Sequence, residues 1–256
     1  MRSPTFIVCA VSISCALSLT GCSTLDRIIG ADNWKDWTPT TTSIQVHMDD
    51  SLTETIFDTL DESWYQGNEL QDMIARSMHE YNDSHGAGAV NVTSYSDTGG
   101  NVKVVIDYRT GEDFAAYNNA VFCCGSMLDA QMQGFLFPGR FYAVEGASLK
   151  GEAMDDSEPI SHKEYSVVIS DGSHVIQVPG QIRYVSEGAE IINSHAAQLM
   201  PGDSEPKDIA PEDGQAVPDT GSASISGAPE QEERADALYI IYEKDQAPGP
   251  DVSDSR

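Results

Sequence analysis

The chain has 256 residues, and its 41 acidic and 14 basic side chains give it a formal net charge of −27 at pH 7. Such a charge keeps a protein soluble and repels the phosphates of nucleic acids, so the composition excludes a nucleic-acid partner. The same charge argues against an electrostatic attachment to anionic lipid.

The first residues have the layout of a secretory signal. An apolar run from Phe6 to Leu19 follows Arg2. The run is 14 residues long, which is shorter than the roughly 20 residues that span a hydrocarbon core. A charged start, a short apolar middle and small residues at the cut site are typical of a cleaved signal peptide.

The signal ends at Leu19-Thr20-Gly21-Cys22, a pattern that resembles the lipobox of bacterial lipoproteins. The resemblance implies that residues 1–21 are removed as a signal peptide and that Cys22 carries a diacylglycerol on its thiol. Two acyl chains hold a protein stably on a membrane. The protein is therefore expected at the cell membrane, lipid-anchored and facing outside the cytoplasm. The alternative is an ordinary cleaved signal that happens to contain a cysteine.

The remaining cysteines predict neither a disulfide framework nor a metal site. Cys9 and Cys15 lie in the signal, which leaves Cys123 and Cys124 side by side. Two adjacent ligands cannot make a zinc site alone, and the CxxC pattern is absent from the sequence. We therefore predict that both residues are small, buried apolar side chains, as free cysteines usually are.

Residues 22–42 are predicted to form a lipidated tether in front of the folded part. Trp34 and Trp37 lie in it among polar residues. Because tryptophan favours the membrane interface, one hypothesis is that the tether rests partly in the headgroup layer. The alternative is a short helix or linker that only spaces the domain from the membrane.

The globular part is predicted to begin at Ser43. Ser43 to Met48 alternates between apolar and polar side chains, as a half-buried strand does, and Thr53 to Leu60 provides its partner after a short turn. A helix is predicted from about Asn68 to Asp83, with Asn68 as its N-cap. The apolar residues of this helix recur at helical spacing and predict its inner face: Leu70, Met73, Ile74, Met78 and Tyr81.

The same pattern then repeats along the chain. Strands are predicted at Val90 to Val92 and at Val102 to Tyr108, and Thr110 to Asp113 matches the capping box that opens a second helix. The predicted inner face of that helix is Phe114, Tyr117, Val121, Cys124 and Leu128. Two successive strand–strand–helix units over residues 43–134 predict an α+β core, with one antiparallel sheet and both helices on one face.

The following part is predicted to be a β-rich hairpin extension over residues 135–200. It contains a strand from Phe141 to Val144 and a polar loop over residues 150–163. Two hairpins are predicted around short polar turns. Their strands are Tyr165 to Ser170 with His174 to Val178, and Ile182 to Val185 with Glu190 to Asn193.

The end of the chain differs in composition. Residues 201–235 hold five prolines, nine acidic side chains and two basic ones, and they lack aromatic residues. Such a stretch cannot bury enough surface to offset ordering, which predicts an acidic disordered excursion. Ala237 to Tyr242 is a short apolar run that predicts a closing strand over residues 236–243. Residues 244–256 are predicted to be a disordered tail.

The chain holds no complete catalytic or metal-binding motif. His79-Glu80 begins like a zincin helix, but Asp83 stands where the second histidine is required. The GxSxG nucleophile elbow and the glycine-rich phosphate loops are absent from the sequence. The sequence therefore predicts no catalytic residue, no cofactor-binding residue, no metal ligand and no cofactor, and Cys22 is the one predicted site of modification.

Four tyrosines raise a separate hypothesis, because they could form an aromatic surface for sugars or peptides. The alternative is the ordinary packing of a β-rich domain. The four residues are Tyr165, Tyr184, Tyr239 and Tyr242.

Ser43 to about Gly134 resembles the body of uncharacterised surface lipoproteins of Gram-positive bacteria. The likeness is carried by the opening Ser43-Ile44-Gln45-Val46 and by the starts of the two predicted helices, which are Glu69-Leu70 and Glu112-Asp113-Phe114-Ala115-Ala116-Tyr117-Asn118. The resemblance implies a surface location and a related fold, and it implies no reaction.

These observations favour a membrane-anchored envelope lipoprotein that is a non-enzymatic binding or scaffolding module. Its partner would be an unknown envelope protein or an extracellular ligand. One alternative is an extracellular hydrolase that acts on cell-wall material through paired carboxylates. A pocket that holds two carboxylates, at least one with a raised pKa, would favour it. Another alternative is the solute-binding component of a transporter, which usually needs two α/β lobes.

Overall fold

The computed structural model describes residues 37–60, 67–137, 139–200 and 237–245. Several predictions fall outside these residues: the lipidation site Cys22, most of the tether 22–42, the acidic segment 201–235 and most of the tail 244–256. No helix in the described ranges is long and apolar enough to cross a membrane.

The described residues form thirteen strands and four helices. The strands are β1 (Ser43–Val46), β2 (Leu52–Thr59), β3 (Val90–Thr98), β4 (Asn101–Tyr108), β5 (Phe122–Ser126), β6 (Phe141–Glu145), β7 (Ser148–Met154), β8 (Ser166–Ser170), β9 (Val175–Gln177), β10 (Gly180–Ser186), β11 (Ala189–Asn193), β12 (Ala196–Leu199) and β13 (Leu238–Lys244). The helices are α1 (Gly67–His85), α2 (Gly111–Asn118), α3 (Met127–Met132) and α4 (Ser157–Ser161).

The strands are divided between two sheets. The first sheet has seven strands in the order β11-β12-β9-β1-β2-β4-β3, and the second has six in the order β5-β8-β13-β10-β6-β7. Neighbouring strands are antiparallel except β1 and β9, which are parallel. The predicted α+β fold, with one four-stranded sheet beneath two helices, is therefore wrong. The fold is mostly β, and the four predicted strands are only part of the first sheet.

The two local hairpins at the start of the domain are confirmed. β1 pairs with β2 and β3 pairs with β4, both antiparallel. α1 is also present, and its half-buried residues Leu70, Ile74, Met78 and Tyr81 pack on the core. Met73, also predicted on this inner face, is 45% exposed, so that part of the prediction is wrong. The helix begins at Gly67, so Asn68 is not its N-cap.

The second helix, α2, ends at Asn118, ten residues before the Leu128 that was predicted on its inner face. Thr110 caps α2 as expected, because its side chain accepts a hydrogen bond from the backbone N–H of Asp113. The helix ends at Asn118, since Asn119 takes a left-handed conformation with φ 50° and its N–H bonds back to the Ala115 carbonyl. The following residues form β5, which pairs with β8, so the prediction of one helix through Leu128 is wrong.

Both hairpins predicted after residue 164 are wrong as well. β8 belongs to the second sheet and β9 to the first, so the turn between them carries the chain from one sheet to the other. The same is true of β10 and β11. All five residues of β8 are buried, as expected of a strand inside a sheet that is covered on both faces. The segment 150–163, predicted to be a loop, contains most of β7 and the short α4.

The second sheet is covered on both faces by apolar side chains. One core cluster lies between the sheets and joins Ile44 and Leu52 of the first sheet to Ile240 and Tyr242 of the second. Another lies on the far face of the second sheet, where residues of α3 and the segment after it pack on Ile241 and its neighbours. Because β13 contributes to both clusters, it reads as a continuous apolar run rather than an alternating one.

Candidate functional site

A polar cluster lies where α2 packs against the inner face of the first sheet. It consists of Glu54 on β2, Tyr108 on β4, and Tyr117 and Asn118 at the end of α2; we name these four residues the Glu54 cluster. On β2 the side chains that point inward are Leu52, Glu54 and Ile56, since they alternate along a strand. The sequence therefore places a carboxyl group where an apolar side chain is expected.

A chain of two hydrogen bonds leads from the surface to this carboxyl group. The Tyr108 hydroxyl donates to Glu54 Oε2 at 2.7 Å, and Asn118 Nδ2 donates to the Tyr108 hydroxyl oxygen at 3.1 Å. Glu54 is 5% exposed and Tyr108 is 1% exposed, whereas Asn118 is exposed. The buried acid is thus connected to solvent through the last residue of α2.

Aromatic rings surround the cluster and connect it to α1 and α2. The Tyr108 ring packs edge-on against Phe114 at 5.0 Å between centroids and lies 6.0 Å from Tyr117. Tyr117 in turn meets Tyr81 of α1 edge-on at 5.5 Å. Such contacts stabilise the packing beyond the area they bury. α1 and α2 are therefore held over Glu54 by one continuous set of rings.

Burial raises the pKa of Glu54 to about 6, and the hydrogen bond from Tyr108 opposes this shift only in part. Burial is also the main cause that raises the pKa of Tyr108 well above its ordinary value, and the nearby Glu54 adds to it. Burial likewise raises the pKa of Tyr117. Within the cluster, Glu54 is therefore the group that changes its charge close to neutral pH.

A second buried acid, Asp113, differs from Glu54 because it has a cationic partner. Arg109 Nε donates to Asp113 Oδ2 at 3.2 Å, and the Tyr81 hydroxyl donates to Asp113 Oδ1 at 3.3 Å. Asp113 also takes part in the Thr110 cap. These contacts fix the first turn of α2. The burial of Asp113 is therefore explained by its ion pair and its role in the helix cap. Glu54 differs because its hydrogen-bond donor in the cluster, Tyr108, is a neutral phenol.

Replacement of Glu54 by glutamine is expected to stabilise the protein in a pH-dependent way. The folded protein holds the Glu54 proton up to a higher pH than the unfolded chain, whose pKa is near the ordinary 4.5. The wild type therefore loses stability as the pH rises from 4.5 through 6. In urea titrations, Glu54→Gln should gain less than about 1 kcal/mol at pH 5 and about 2 kcal/mol at pH 7.5.

The exposed Glu80 of α1 provides the matched control, because Glu80→Gln removes the same charge from the surface of a neighbouring helix. That control should change the free energy of unfolding by only a few tenths of a kcal/mol at both pH values. An equal gain from Glu54→Gln at pH 5 and at pH 7.5 would show that ionisation of Glu54 is not the cause.

The carboxyl group is not open to a substrate in the structure described. A group with a pKa near 6 suits general acid–base chemistry, provided that it comes within hydrogen-bond reach of the reacting atom. With Glu54 5% exposed and Tyr108 1% exposed, such reach would require α2 to move. Within the described ranges, no group of three or more His, Cys, Asp or Glu side chains is placed to hold a metal ion.

The prediction of two buried cysteines is confirmed for Cys123 only, and both residues lie on β5 rather than on the second helix. Cys123 is buried and Cys124 is half-buried, and neither forms a disulfide. Burial is the main cause that raises the pKa of the Cys123 thiol to about 12 and that of Cys124 further still. Since the thiolate is the reactive form, both side chains are chemically quiet.

The hypothesis of a tyrosine surface is wrong. Tyr239 and Tyr242 are three positions apart on β13, so they point to opposite faces of the second sheet, and both are buried. Tyr184 is 8% exposed. Tyr165 stacks on His162 with 4.6 Å between the ring centroids. These rings belong to the core or its border.

Comparisons with known proteins found no matching family model, no matching curated protein and no matching solved structure. The likeness to surface lipoproteins of Gram-positive bacteria stays a prediction from the sequence. Function must therefore be argued from the residues of this chain.

Proposed function

We propose that this protein is a lipid-anchored lipoprotein of the cell envelope, held by Cys22 and facing outside the cytoplasm. Its β-rich domain binds another envelope protein rather than catalysing a reaction. The observation that carries the location is the lipobox pattern Leu19-Thr20-Gly21-Cys22. β1 begins at Ser43, 21 residues after Cys22, so an extended tether would let the domain reach about 70 Å from the lipid.

A set of exposed apolar side chains supports the binding role. Leu128 and Met132 of α3 are 54% and 78% exposed, and Leu136 just after the helix is 62% exposed; we name these three residues the α3 patch. Leu128 and Met132 are four residues apart and so lie on one side of the helix. Neighbouring exposed apolar side chains, as at Leu128 and Met132, are typical of protein interaction sites. The exposed Asp129, whose carboxylate accepts a hydrogen bond from Ser126, adds a negative charge beside Leu128 and favours a partner with basic side chains at its rim.

Labelling cells with an alkyne fatty acid tests the anchor. The wild type should incorporate the label and sediment with membranes, whereas Cys22→Ser should do neither. Cys15→Ser changes a cysteine inside the apolar run and should leave labelling intact, which makes it the matched control. An unlabelled wild-type protein that is secreted into the medium would show that the signal is an ordinary cleaved one.

Cross-linking on intact cells, read by mass spectrometry, tests the binding role. A double variant, Leu128→Ser with Met132→Ser, should lose the dominant cross-linked partner. Leu149→Ser removes another exposed apolar side chain, 46% exposed on β7, and should keep that partner. Capture of the same partner by all three proteins would assign binding to a different surface.

The second candidate is a hydrolase acting on cell-wall material, and the single observation in its favour is the raised pKa of Glu54. Because Glu54 is buried beneath α2, we rank the hydrolase function after the binding role. Release of soluble fragments from purified cell wall by the wild type, but not by Glu54→Gln, would reverse this order.

A further inference from the structure

The two ends of α2 are held to the rest of the domain in different ways. At its start, Thr110 caps the helix and the Arg109–Asp113 ion pair, 3.2 Å between Nη2 and Oδ2, fixes the first turn. At its end, the Tyr117 ring packs on Tyr108 and Tyr81, and Asn118 donates to the Tyr108 hydroxyl, which in turn donates to Glu54. We propose that ionisation of Glu54 releases the end of α2 from the first sheet, so that this helix opens as the pH rises from mildly acidic towards neutral.

The surroundings of Glu54 accept a neutral acid much better than a carboxylate. The side chain is 5% exposed and receives a hydrogen bond from Tyr108, a neutral donor. Its inward neighbours on β2 are Leu52 and Ile56, and the opposite residues on β1 and β4 are Ile44 and Ile106. A buried carboxylate without a cationic partner is costly. The free-energy cost of ionising Glu54 therefore falls most readily if water reaches its carboxylate.

The titratable groups that face Glu54 do not compete with it. Tyr108 faces it from β4 and Tyr117 from α2, and burial raises the pKa of both above the ordinary value of 10. On α1, Ser77 hydrogen-bonds to Tyr117, and Tyr81 is bonded to Asp113. The charges of Arg109 and Asp113 neutralise each other at the other end of α2. Neither tyrosine therefore changes its charge in the pH range over which Glu54 ionises.

The structure also indicates which element would move. Asn118 is exposed, α2 is only eight residues long, and Asn119 ends it in a left-handed conformation. Opening the last turn of α2 would bring water to Tyr108 and Glu54 without separating the strands of either sheet. The ion pair at the start of α2 would stay in place, so that the helix would open from its C-terminal end.

Hydrogen exchange read by mass spectrometry tests the proposal on the full mature chain. Wild type and Glu54→Gln are compared at the same pH, because this cancels the intrinsic pH dependence of exchange. If the closed form holds the proton up to about pH 6 and the open form only to the ordinary value of 4.5, the amides in the last turn of α2 should be about 4-fold less protected in the wild type than in the variant at pH 5. At pH 7.5 the deficit should reach about 30-fold.

The α3 amides that exchange by local fluctuation, on the far face of the second sheet, provide the internal reference and should show the same exchange in both proteins. Glu80→Gln should behave like the wild type throughout. A constant ratio for the α2 amides across the pH range would overturn the proposal. A pH-dependent ratio in the β13 amides but not in α2 would also overturn it, because Glu54 would then be exposed only by unfolding of the whole domain.

A measurement on the wild type alone covers the case in which Glu54→Gln does not fold. Carboxyl ¹³C NMR follows the titration of Glu54 directly, and amide spectra follow α2 in the same samples. The proposal expects the amide signals of Tyr117 and Asn118 to shift with the same midpoint as the Glu54 carboxyl carbon. If those signals do not change while Glu54 titrates, α2 does not respond to the charge and the proposal is wrong.

Discussion

A chain that ends at residue 236 is expected to remain unfolded, although it retains 92% of the sequence. β13 lies in the middle of the second sheet, where it pairs with β10 on one side and with β8 on the other. Without it, both neighbours lose a hydrogen-bonded partner and the core loses its most apolar strand. Circular dichroism and the dispersion of amide NMR signals should show the loss of structure.

The size of the effect follows from what β13 buries. Five consecutive apolar residues of this strand are at most 5% exposed, and they are Leu238, Tyr239, Ile240, Ile241 and Tyr242. Burial of each side chain contributes roughly 1.5–3 kcal/mol, about 10 kcal/mol together. This is comparable to the total stability of an ordinary domain, about 5–15 kcal/mol. Removal of β13 should therefore abolish cooperative folding rather than weaken it.

A chain that ends at Asp245 is the matched control, because it retains every strand that the structure describes. It should unfold cooperatively in urea with a midpoint close to that of the full mature chain. If the chain ending at residue 236 also unfolds cooperatively and keeps dispersed NMR signals, β13 is not required for the fold, and its central position in the second sheet is in error.

The sequence predicts individual strands better than it predicts their partners. β1 with β2, and β3 with β4, follow from alternation and from the short turns that join them. The turn at Asp171–Ser173 also consists of small polar residues and glycine, yet the chain there crosses from one sheet to the other. The real partners of β8 include β13, with Val168 opposite Ile240. Pairing between strands so far apart leaves no local trace in the sequence.

The candidate site was only partly accessible from the sequence. The available signal was Glu54 itself, an acid in phase with Leu52 and Ile56 on the inward face of a predicted strand. Its hydrogen-bond partner Tyr108 is 54 residues away along the chain. The alternation of β4 predicts that Tyr108 points inward, but the sequence does not predict that β4 pairs with β2 and so brings Tyr108 to Glu54. The length of α2, which brings Asn118 to Tyr108, depends on where the helix ends and was also mispredicted.

Gly180→Ala is expected to destabilise the protein by roughly 3 kcal/mol, the upper end of the usual range for overpacking. Gly180 begins β10 and lies opposite Lys244 on β13. A Cβ atom added there would lie 2.1 Å from the carbonyl oxygen of Glu243 and 2.7 Å from its carbonyl carbon. Both are backbone atoms of the central strand, so neither can move aside alone.

The backbone around Gly180 is held from both sides, which prevents an easy adjustment. His195 Nδ1 donates to the Gly180 carbonyl oxygen at 2.7 Å, and the Asp245 N–H donates to the Pro179 carbonyl at 3.1 Å. On β13, Lys244 also reaches Asp50 at 2.8 Å in the turn between β1 and β2. Displacing this end of β13 would therefore disturb both strand pairing in the second sheet and a contact with the first.

Gly172→Ala provides the comparison that separates this clash from the general effect of replacing glycine. A Cβ atom at Gly172 would meet the imidazole ring of His174 at 2.7 Å, and that ring can rotate away. Its cost should stay below about 1 kcal/mol, because a movable side chain absorbs the contact. Urea unfolding of both variants measures the difference. An equal loss of stability at the two positions would mean that β10 and β13 are less closely paired at Gly180 than the structure shows.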